Sequence, residues 1–259
     1  MPNEIRLNFL SSNINSDNLL VCLHGNSTDS NYFSTLLDGI DSWRVLAPDF
    51  LGHGKSPKLA PNDYNYEVFI QSLVDFINQF SYYKIVVVGH SLGGNLAIEL
   101  LKVLELDGLL LLASPPVSYS RGVAPYLKLP DFSITEDSEE NSRAIRNYLS
   151  ESTSDQETIK YLSQTFLNTD PVFRERLLQE FAAMKFSDQL ELLKQDNLTH
   201  LGCIVAKNDV VANNEYVYQI EQEGLFNYFD HISNVGHYSL LEKPQENKGL
   251  IEKFLENIE

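Results

Sequence analysis

Ser91 lies in the pattern Gly-x-Ser-x-Gly, between an apolar run at 84–88 and a segment of helical periodicity at 92–105. Such a strand–turn–helix arrangement is typical of a nucleophilic serine, because the sharp turn projects the hydroxyl into a cleft. The turn strains the serine backbone, and the two glycines let the neighbouring chain pass without a clash. The pattern predicts Ser91 as a nucleophile and the amide of Leu92, at the helix start, as an oxyanion donor. A glycine-rich turn with an incidental serine is the alternative.

A second oxyanion donor is predicted in the stretch His24-Gly25-Asn26-Ser27, which follows the apolar run 19–23. This donor must approach the serine from a neighbouring strand end, and Gly25 permits a close approach of the backbone. We expect the amide of Asn26 to be the donor, with Ser27 as the less favoured choice. A hydrogen-bonding structural role is preferred for His24 over acid–base chemistry.

A serine hydroxyl is almost fully protonated at neutral pH, so it needs a base, and the base needs an orienting carboxylate. Asp209 follows the apolar run 202–206, and His237 lies in a loop opened by Gly236. Their order along the chain after Ser91 is the order that one class of serine hydrolases uses. We therefore predict His237 as the base and Asp209 as its partner. A turn role for Asp209 and an ordinary surface loop for His237 are the alternatives.

The stretch 49–56 follows the apolar run 44–47 and places two glycines around a histidine. Glycines at these points suit a tight loop beside a cleft. We interpret Asp49 and His53 as residues that brace this loop, and we prefer that interpretation to direct catalysis.

The elements that must position these residues alternate between strand and helix along the chain. Continuous apolar runs are typical of strands buried on both faces, as in a parallel sheet covered by helices. The strand runs are 19–23, 44–47, 84–88, 109–113 and 202–206, with a weakly alternating run at 5–9 and an edge run at 225–232; the helical segments are 66–80, 92–105 and 246–257. This alternation predicts an α/β fold with a mostly parallel sheet, whose ligands bind at the carboxyl ends of the strands.

The alternation breaks between 115 and 195, where helical segments are predicted near 140–149, 155–168 and 170–194. We interpret 115–195 as an inserted helical cap and assign 1–114 together with 196–259 to the core. The cap is expected to form one wall of a substrate pocket. Its aromatic residues are pocket-wall candidates or helix-packing residues: Tyr119, Tyr126, Phe132, Tyr148, Phe166, Phe173 and Phe181.

The composition excludes several partners. The 259 residues carry 19 Lys and Arg against 36 Asp and Glu, a formal net charge of −17. Such a chain repels phosphate backbones and anionic lipid faces, so we expect no nucleic-acid partner. The apolar runs are far shorter than the ~20 residues of a membrane span, and the first residues do not resemble a secretory signal. A cytoplasmic location is therefore expected, while the sequence does not address the oligomeric state.

Five short motifs follow one another along the chain: His-Gly-Asn-Ser, Asp-Phe-Leu-Gly-His-Gly-Lys-Ser, Gly-His-Ser-Leu-Gly-Gly, Asn-Asp and Gly-His-Tyr. In type and in order they resemble the motifs of the α/β-hydrolase family. The resemblance covers nearly the whole chain outside 115–195. It implies that Ser91 is the nucleophile, that His237 is the general acid/base with Asp209 as its partner, and that the amides of Asn26 and Leu92 form the oxyanion hole. The loop after Asp209 lacks the proline that often follows this aspartate in the family.

The predicted reaction is acyl transfer to water through an acyl-enzyme on Ser91. The substrate would be a small molecule with an acyl carbonyl, such as a carboxylic ester or lactone, and the reaction needs no metal ion or organic cofactor. The segment 168–170 with Phe173 and Arg174 faintly resembles the caps of acyl-homoserine lactonases. A carbon–carbon bond hydrolase with the same triad and a non-catalytic ligand-binding protein of this fold remain alternatives. Dehalogenation is disfavoured, because a serine nucleophile would be left as an inert ether.

Overall fold

The computed structural model describes residues 6–121, 139–195 and 198–258. Its centre is a sheet in the order β1-β3-β2-β4-β5-β6-β7, in which β1 is antiparallel to β3 and the other neighbours are parallel. The strands are β1 Phe9–Ser11, β2 Asn18–Leu23, β3 Arg44–Pro48, β4 Lys84–His90, β5 Gly108–Leu112, β6 Leu201–Ala206 and β7 Tyr228–Ile232. The predicted α/β class with a mostly parallel sheet is confirmed.

Helices cover both faces of this sheet. The α-helices of the described residues are α1 Ser34–Leu37, α2 Tyr66–Ile77, α3 Leu92–Leu100, α4 Glu139–Ser152, α5 Gln156–Asn168, α6 Pro171–Ala182, α7 Gln189–Gln195, α8 Asn214–Gln222, α9 Ser239–Glu242 and α10 Pro244–Glu256. Strands β4, β5 and β6 are buried on both faces, apart from the half-buried first residue of β4. This burial explains why their sequences are continuously apolar rather than alternating.

Several predicted elements have different bounds in the structure, among them the first strand and the helix after Ser91. The first strand, predicted at 5–9, is Phe9–Ser11. The helix predicted at 92–105 ends at Leu100, and Leu104 and Leu106, which continue its apolar pattern, pack against the core from a non-helical segment. Burial of apolar residues therefore extends beyond the helix itself, and periodicity alone does not locate the helix end.

The segment predicted as a cap is described over 115–121 and 139–195, and these two ranges contain helices α4 to α7 and no strand. Two of these helices begin at an aspartate: Asp155 accepts from the Thr158 amide at α5, and Asp170 accepts from the Val172 amide at α6, as N-caps do. The aromatic candidates Tyr126 and Phe132 lie outside the described residues. The division into core and cap stays a prediction.

Across the described ranges, 6–121, 139–195 and 198–258, we find no helix that combines the length and the apolar character needed to cross a membrane.

Gly93 lets helix α3 pack directly on the end of β2. A Cβ atom at this position would lie 2.1 Å from the carbonyl oxygen of Leu23 and 2.6 Å from that of His24. We expect Gly93→Ala to lower the free energy of unfolding by about 1–3 kcal/mol or more, because two backbone segments must move apart. Urea denaturation measures this change.

Gly249, inside α10, provides the matched control, since a Cβ atom added there would have no neighbour within 4 Å. Gly249→Ala is expected to stabilise the protein by up to about 1 kcal/mol, through helix propensity. Equal effects of the two substitutions would contradict the close contact at Gly93.

Candidate active site

Ser91 occupies a strained turn between β4 and α3. Its backbone has φ 51° and ψ −120°, a combination that non-glycine residues rarely adopt. The turn is held because the Ser91 amide donates to the carbonyl of Leu112 over 3.0 Å, and the Ser91 carbonyl accepts from the Ser114 hydroxyl over 2.7 Å. A Cβ at Gly89 would lie 2.4 Å from the Cα of Gly94, so the glycine two residues before the serine is sterically required.

Asp209 and His237 form a buried pair at the carboxyl ends of β6 and β7. The Nδ1 of His237 donates to Oδ2 of Asp209 over 2.8 Å, and the two residues are 3% and 7% exposed. The other carboxylate oxygen, Oδ1, accepts from the amides of Val211 and Ala212 over 2.7 and 2.9 Å. With its proton on Nδ1, a neutral His237 ring presents Nε2 as an acceptor.

His90 links the serine turn to the loop that carries His237. Its Nε2 donates to the carbonyl of His237 over 2.9 Å, and the centroids of the two rings are 4.8 Å apart. The His90 ring also stacks on Tyr32 at 4.4 Å. Because His90 directly precedes Ser91, these contacts bring the predicted nucleophile and the predicted base into one small region.

The loop that follows β2 approaches Ser91 at Gly25. A Cβ on Gly25 would lie 3.4 Å from the Cβ of Ser91 and 2.7 Å from Nδ1 of His90, so this close approach needs glycine. The Gly25 carbonyl accepts from Nδ1 of His24 over 2.8 Å and from the Thr28 hydroxyl over 2.9 Å. These bonds fix the peptide unit that also contains the amide of Asn26.

The backbone amides of Asn26 and Ser27 differ in whether they have a hydrogen-bond acceptor. The Ser27 amide donates to Nε2 of His53 over 3.1 Å, whereas the Asn26 amide has no acceptor within the part of the chain that the structure describes. The Leu92 amide, the first of α3, has no partner inside the helix. Of the sequence candidates, Asn26 and Leu92 therefore keep the amides that are available to a ligand.

Asp49 holds together three segments around this loop. Its carboxylate accepts from the amides of Ser30 and Lys55 and from the side-chain amide of Asn8, over 2.8, 2.9 and 2.7 Å. A Cβ on Gly54, which has φ 51°, would lie 2.3 Å from Asp49 Oδ2. Asp49 is thus committed to hydrogen bonds with three neighbouring segments, in keeping with the bracing interpretation.

Sequence reasoning did not identify Ser114 or the role of His90. Ser114 follows β5, so the rule that polar residues after strand ends meet at one edge of the sheet could have found it. His90 had no such signal, because its partner is a backbone carbonyl far along the chain.

Residues of the predicted cap contact the loops that carry the site. The hydroxyl of Tyr161 in α5 donates to Oδ1 of Asp29 over 2.7 Å. On the other side, a Cβ on Gly236 would lie 1.8 Å from the carbonyl oxygen of Ser152, at the end of α4. The helices at 139–195 therefore lie directly against the loops on both sides of Ser91.

Three buried histidines, His24, His53 and His90, have pKa values below that of free histidine. Burial is the main cause in each case, because it disfavours the charged ring. Each ring nitrogen that faces a backbone carbonyl carries the proton. The rings are therefore neutral in the folded protein near pH 7.

Because these three buried histidines are neutral in the folded protein, we expect the protein to lose stability in mild acid. As the pH falls below about 6.5, histidines of the unfolded chain take up protons while the buried ones do not. The unfolded state then binds more protons, so the free energy of unfolding falls by up to about 1.4 kcal/mol per pH unit and histidine. Urea denaturation between pH 7.5 and 5 measures the slope. His53→Gln removes one such group, so it should reduce the slope of the free energy of unfolding against pH by up to about 1.4 kcal/mol per pH unit. An unchanged slope would contradict a neutral buried His53.

Comparisons with known proteins agree with this architecture. The model of the family described as the alpha/beta hydrolase fold matches residues 18–131. A solved structure of the N-acyl homoserine lactonase AidH, in a mutant form complexed with N-hexanoyl homoserine lactone, superposes with a TM-score of 0.84 at 23% identity, over 99% of this chain and 96% of that chain. The esterase EaEST of Exiguobacterium antarcticum superposes with a TM-score of 0.77 at 18% identity, over 97% and 95%. The chain is therefore a protein of the α/β-hydrolase fold.

Putative esterase/lipase 1 of Mycoplasma pneumoniae is 23% identical over 90% of this chain and 88% of its own length, whereas other curated relatives match over a shorter stretch. The magnesium-chelatase 30 kDa subunit of Rhodobacter capsulatus is 30% identical over 83 residues, which is 32% of this chain and 29% of that subunit. The match thus spans less than a third of that relative's length. The structural neighbours include a lactonase and an esterase, and at 23% and 18% identity they show a shared fold.

Proposed function

We propose that the protein is a serine hydrolase that cleaves a carboxylic ester or lactone through an acyl-enzyme on Ser91. The observation that carries this proposal is the buried Asp209–His237 hydrogen bond of 2.8 Å, beside a serine held in a strained turn. An imidazole oriented by a carboxylate is the base that a serine hydroxyl needs at neutral pH. The His90 contact supports the proposal, because it ties the His237 loop to the residue before Ser91.

The first half of the reaction would make the acyl-enzyme. The Ser91 hydroxyl attacks the substrate carbonyl carbon and transfers its proton to Nε2 of His237. Asp209 stabilises the resulting imidazolium through Nδ1. The tetrahedral intermediate collapses as His237 gives the proton to the leaving alkoxide, and the alcohol departs; from a lactone, this alcohol stays attached to the acyl chain.

The second half would release the acid. Water gives a proton to Nε2 of His237 and attacks the acyl carbon, and collapse of the intermediate returns the proton to Ser91. In both halves the negative charge develops on the former carbonyl oxygen. We assign its stabilisation to the amides of Asn26 and Leu92, the sequence candidates that the described hydrogen bonds leave available.

The segment 115–195 is proposed to act as a cap that selects the substrate. Support comes from its contacts with the Asp29 and Gly236 loops. The lactone class is supported by the similarity to AidH. Phe173 and Arg174 do not add to this support: Phe173 is 1% exposed, and Arg174 donates to the carbonyl of Phe166, so both serve the packing of the segment.

A substrate panel tests the proposal. The purified protein is offered p-nitrophenyl esters of different acyl lengths, N-acyl homoserine lactones and a substrate for carbon–carbon bond hydrolysis. We expect turnover of an ester or lactone, together with a covalent acyl adduct on Ser91 that mass spectrometry detects after acid quench. Turnover restricted to the carbon–carbon substrate would favour that alternative. Binding without turnover, and without adduct, would favour a ligand-binding protein.

A further inference from the structure

We propose that His53 is a positioning residue for the oxyanion hole: by accepting the Ser27 amide, it fixes the adjacent amide of Asn26 in the orientation that the oxyanion requires. This inference rests on the proposed function and deepens it, since it assigns a role in catalysis to a residue that touches no substrate.

Both ring nitrogens of His53 are used by backbone groups. The Nδ1 atom donates to the carbonyl of Leu51 over 3.1 Å, and Nε2 accepts from the Ser27 amide over 3.1 Å. A carbonyl only accepts and an amide only donates, so these partners specify one neutral tautomer. The side chain is 1% exposed, and burial lowers its pKa, which keeps Nε2 available as an acceptor.

The Ser27 backbone needs such a restraint. Its φ is 60°, in the left-handed region that a serine rarely adopts. A conformation of this kind costs about 1–3 kcal/mol and persists only where the surroundings hold it. The bond to His53 is such a hold, and it acts on the peptide unit that joins Asn26 to Ser27.

The peptide unit on the other side of Asn26 is held independently. The Gly25 carbonyl accepts from His24 and from the Thr28 hydroxyl. Asn26 is therefore fixed through both of its peptide units, one by His24 and Thr28 and the other by His53. The Asn26 amide belongs to the first of these units, and the turn that carries it depends on both anchors. Without His53 the left-handed Ser27 is free to relax, so the turn loses one anchor and the Asn26 amide is held less firmly.

The predicted cap secures the His53 ring in turn. The ring of Phe173, in α6, meets the His53 ring edge-on at a centroid distance of 4.4 Å. The His24 ring lies 5.2 Å away on the side of the oxyanion loop. His53 is thus packed between helix α6 and the loop that it braces, and these contacts restrain its ring.

Two variants test the roles of Nδ1 and Nε2 of His53 separately. The side-chain amide nitrogen of His53→Asn can replace Nδ1, but nothing replaces the Nε2 acceptor. The longer side chain of His53→Gln can place its oxygen near the Nε2 position and accept from Ser27. His231→Asn, on the exposed side of β7, is the matched control for loss of a histidine.

Active sites are counted by complete labelling with a fluorophosphonate, and kcat and KM per labelled site are measured with p-nitrophenyl butyrate. Acylation and deacylation both pass through an oxyanion, so a displaced Asn26 amide slows both and leaves KM nearly unchanged. We expect kcat of His53→Asn to fall about 10-fold or more. The upper limit is the ~10²–10³-fold loss of kcat that removal of a whole oxyanion donor causes. His53→Gln should recover most of this loss, and His231→Asn should match the wild type.

The outcomes are distinct. A purely structural role would lower the number of labelled sites while kcat per site stays within two-fold of the wild type, and this result would overturn the inference. Equal losses in the Asn and Gln variants would overturn it too, because the acceptor would then not matter. If wild-type protein neither hydrolyses any ester or lactone nor is labelled on Ser91, the proposed function fails, and the inference fails with it.

Discussion

Ser91→Ala is expected to lower turnover of the best ester or lactone by about 10⁴-fold or more, as loss of a nucleophilic serine does in such triads. The substitution removes the only atom that can form the proposed acyl bond and keeps the Cβ on which the turn packs. The strained φ of 51° is as costly for alanine as for serine. Stability should therefore change little, and kcat/KM measured alongside the melting temperature separates the two effects.

Ser81→Ala, at an exposed position before β4, is the matched control for this loss of a hydroxyl and should keep full activity. The fluorophosphonate adduct should also disappear in Ser91→Ala and persist in Ser81→Ala. Turnover within ten-fold of the wild type in a correctly folded Ser91→Ala protein would remove the acyl-enzyme from the mechanism.

The positions of Ser91, Asp209 and His237 in the fold follow from the sequence for one physical reason. Ser91 and Asp209 follow strands whose continuous apolar runs mark them as buried, and His237 follows the edge strand β7. Parallel strands bring their carboxyl ends to one edge of the sheet. The pairing of Asp209 with His237 can therefore be predicted from the amino-acid sequence alone. The catalytic roles of these residues stay predictions that the variants must test.

Hydrogen bonds between loops cannot be predicted in the same way. The contact between Ser27 and His53 joins two loops whose paths depend on glycine conformations and on packing against Phe173. The sequence indicates only that His53 braces a loop, and not which amide it accepts. The distinction between Asn26 and Ser27 as oxyanion donor therefore depends on the three-dimensional contacts of the loop.

The end of the predicted cap illustrates the same limit. Periodicity predicts one helical segment over 170–194, whereas the structure has α6 and α7 with a break between them. Met184 has φ 54° at the break, and Phe186 is buried against the core. Burial of Phe186 and the buried hydrogen bonds of Gln189 to Asn95 and Glu99 require the chain to turn there. Such tertiary contacts override local helix propensity.

Asp209→Asn is expected to lower kcat/KM by about 10⁴-fold with the fold retained, the size of effect that a wrong histidine tautomer causes. The structure determines how the new amide would sit. The Val211 and Ala212 amides donate to Oδ1, so they retain the side-chain oxygen of the asparagine and leave its NH₂ group facing His237.

An NH₂ group facing Nδ1 requires that nitrogen to accept. The proton of a neutral His237 then lies on Nε2, which can no longer take the proton of Ser91. Asp41→Asn, an exposed site with the same chemical change, controls for the loss of one negative charge and should leave activity unchanged. Rates of fluorophosphonate labelling should fall in parallel with kcat/KM in Asp209→Asn, because both reactions need the same activated hydroxyl. If the folded Asp209→Asn protein works within ten-fold of the wild type, another group orients His237, and the hydrogen bond of 2.8 Å between them is structural only.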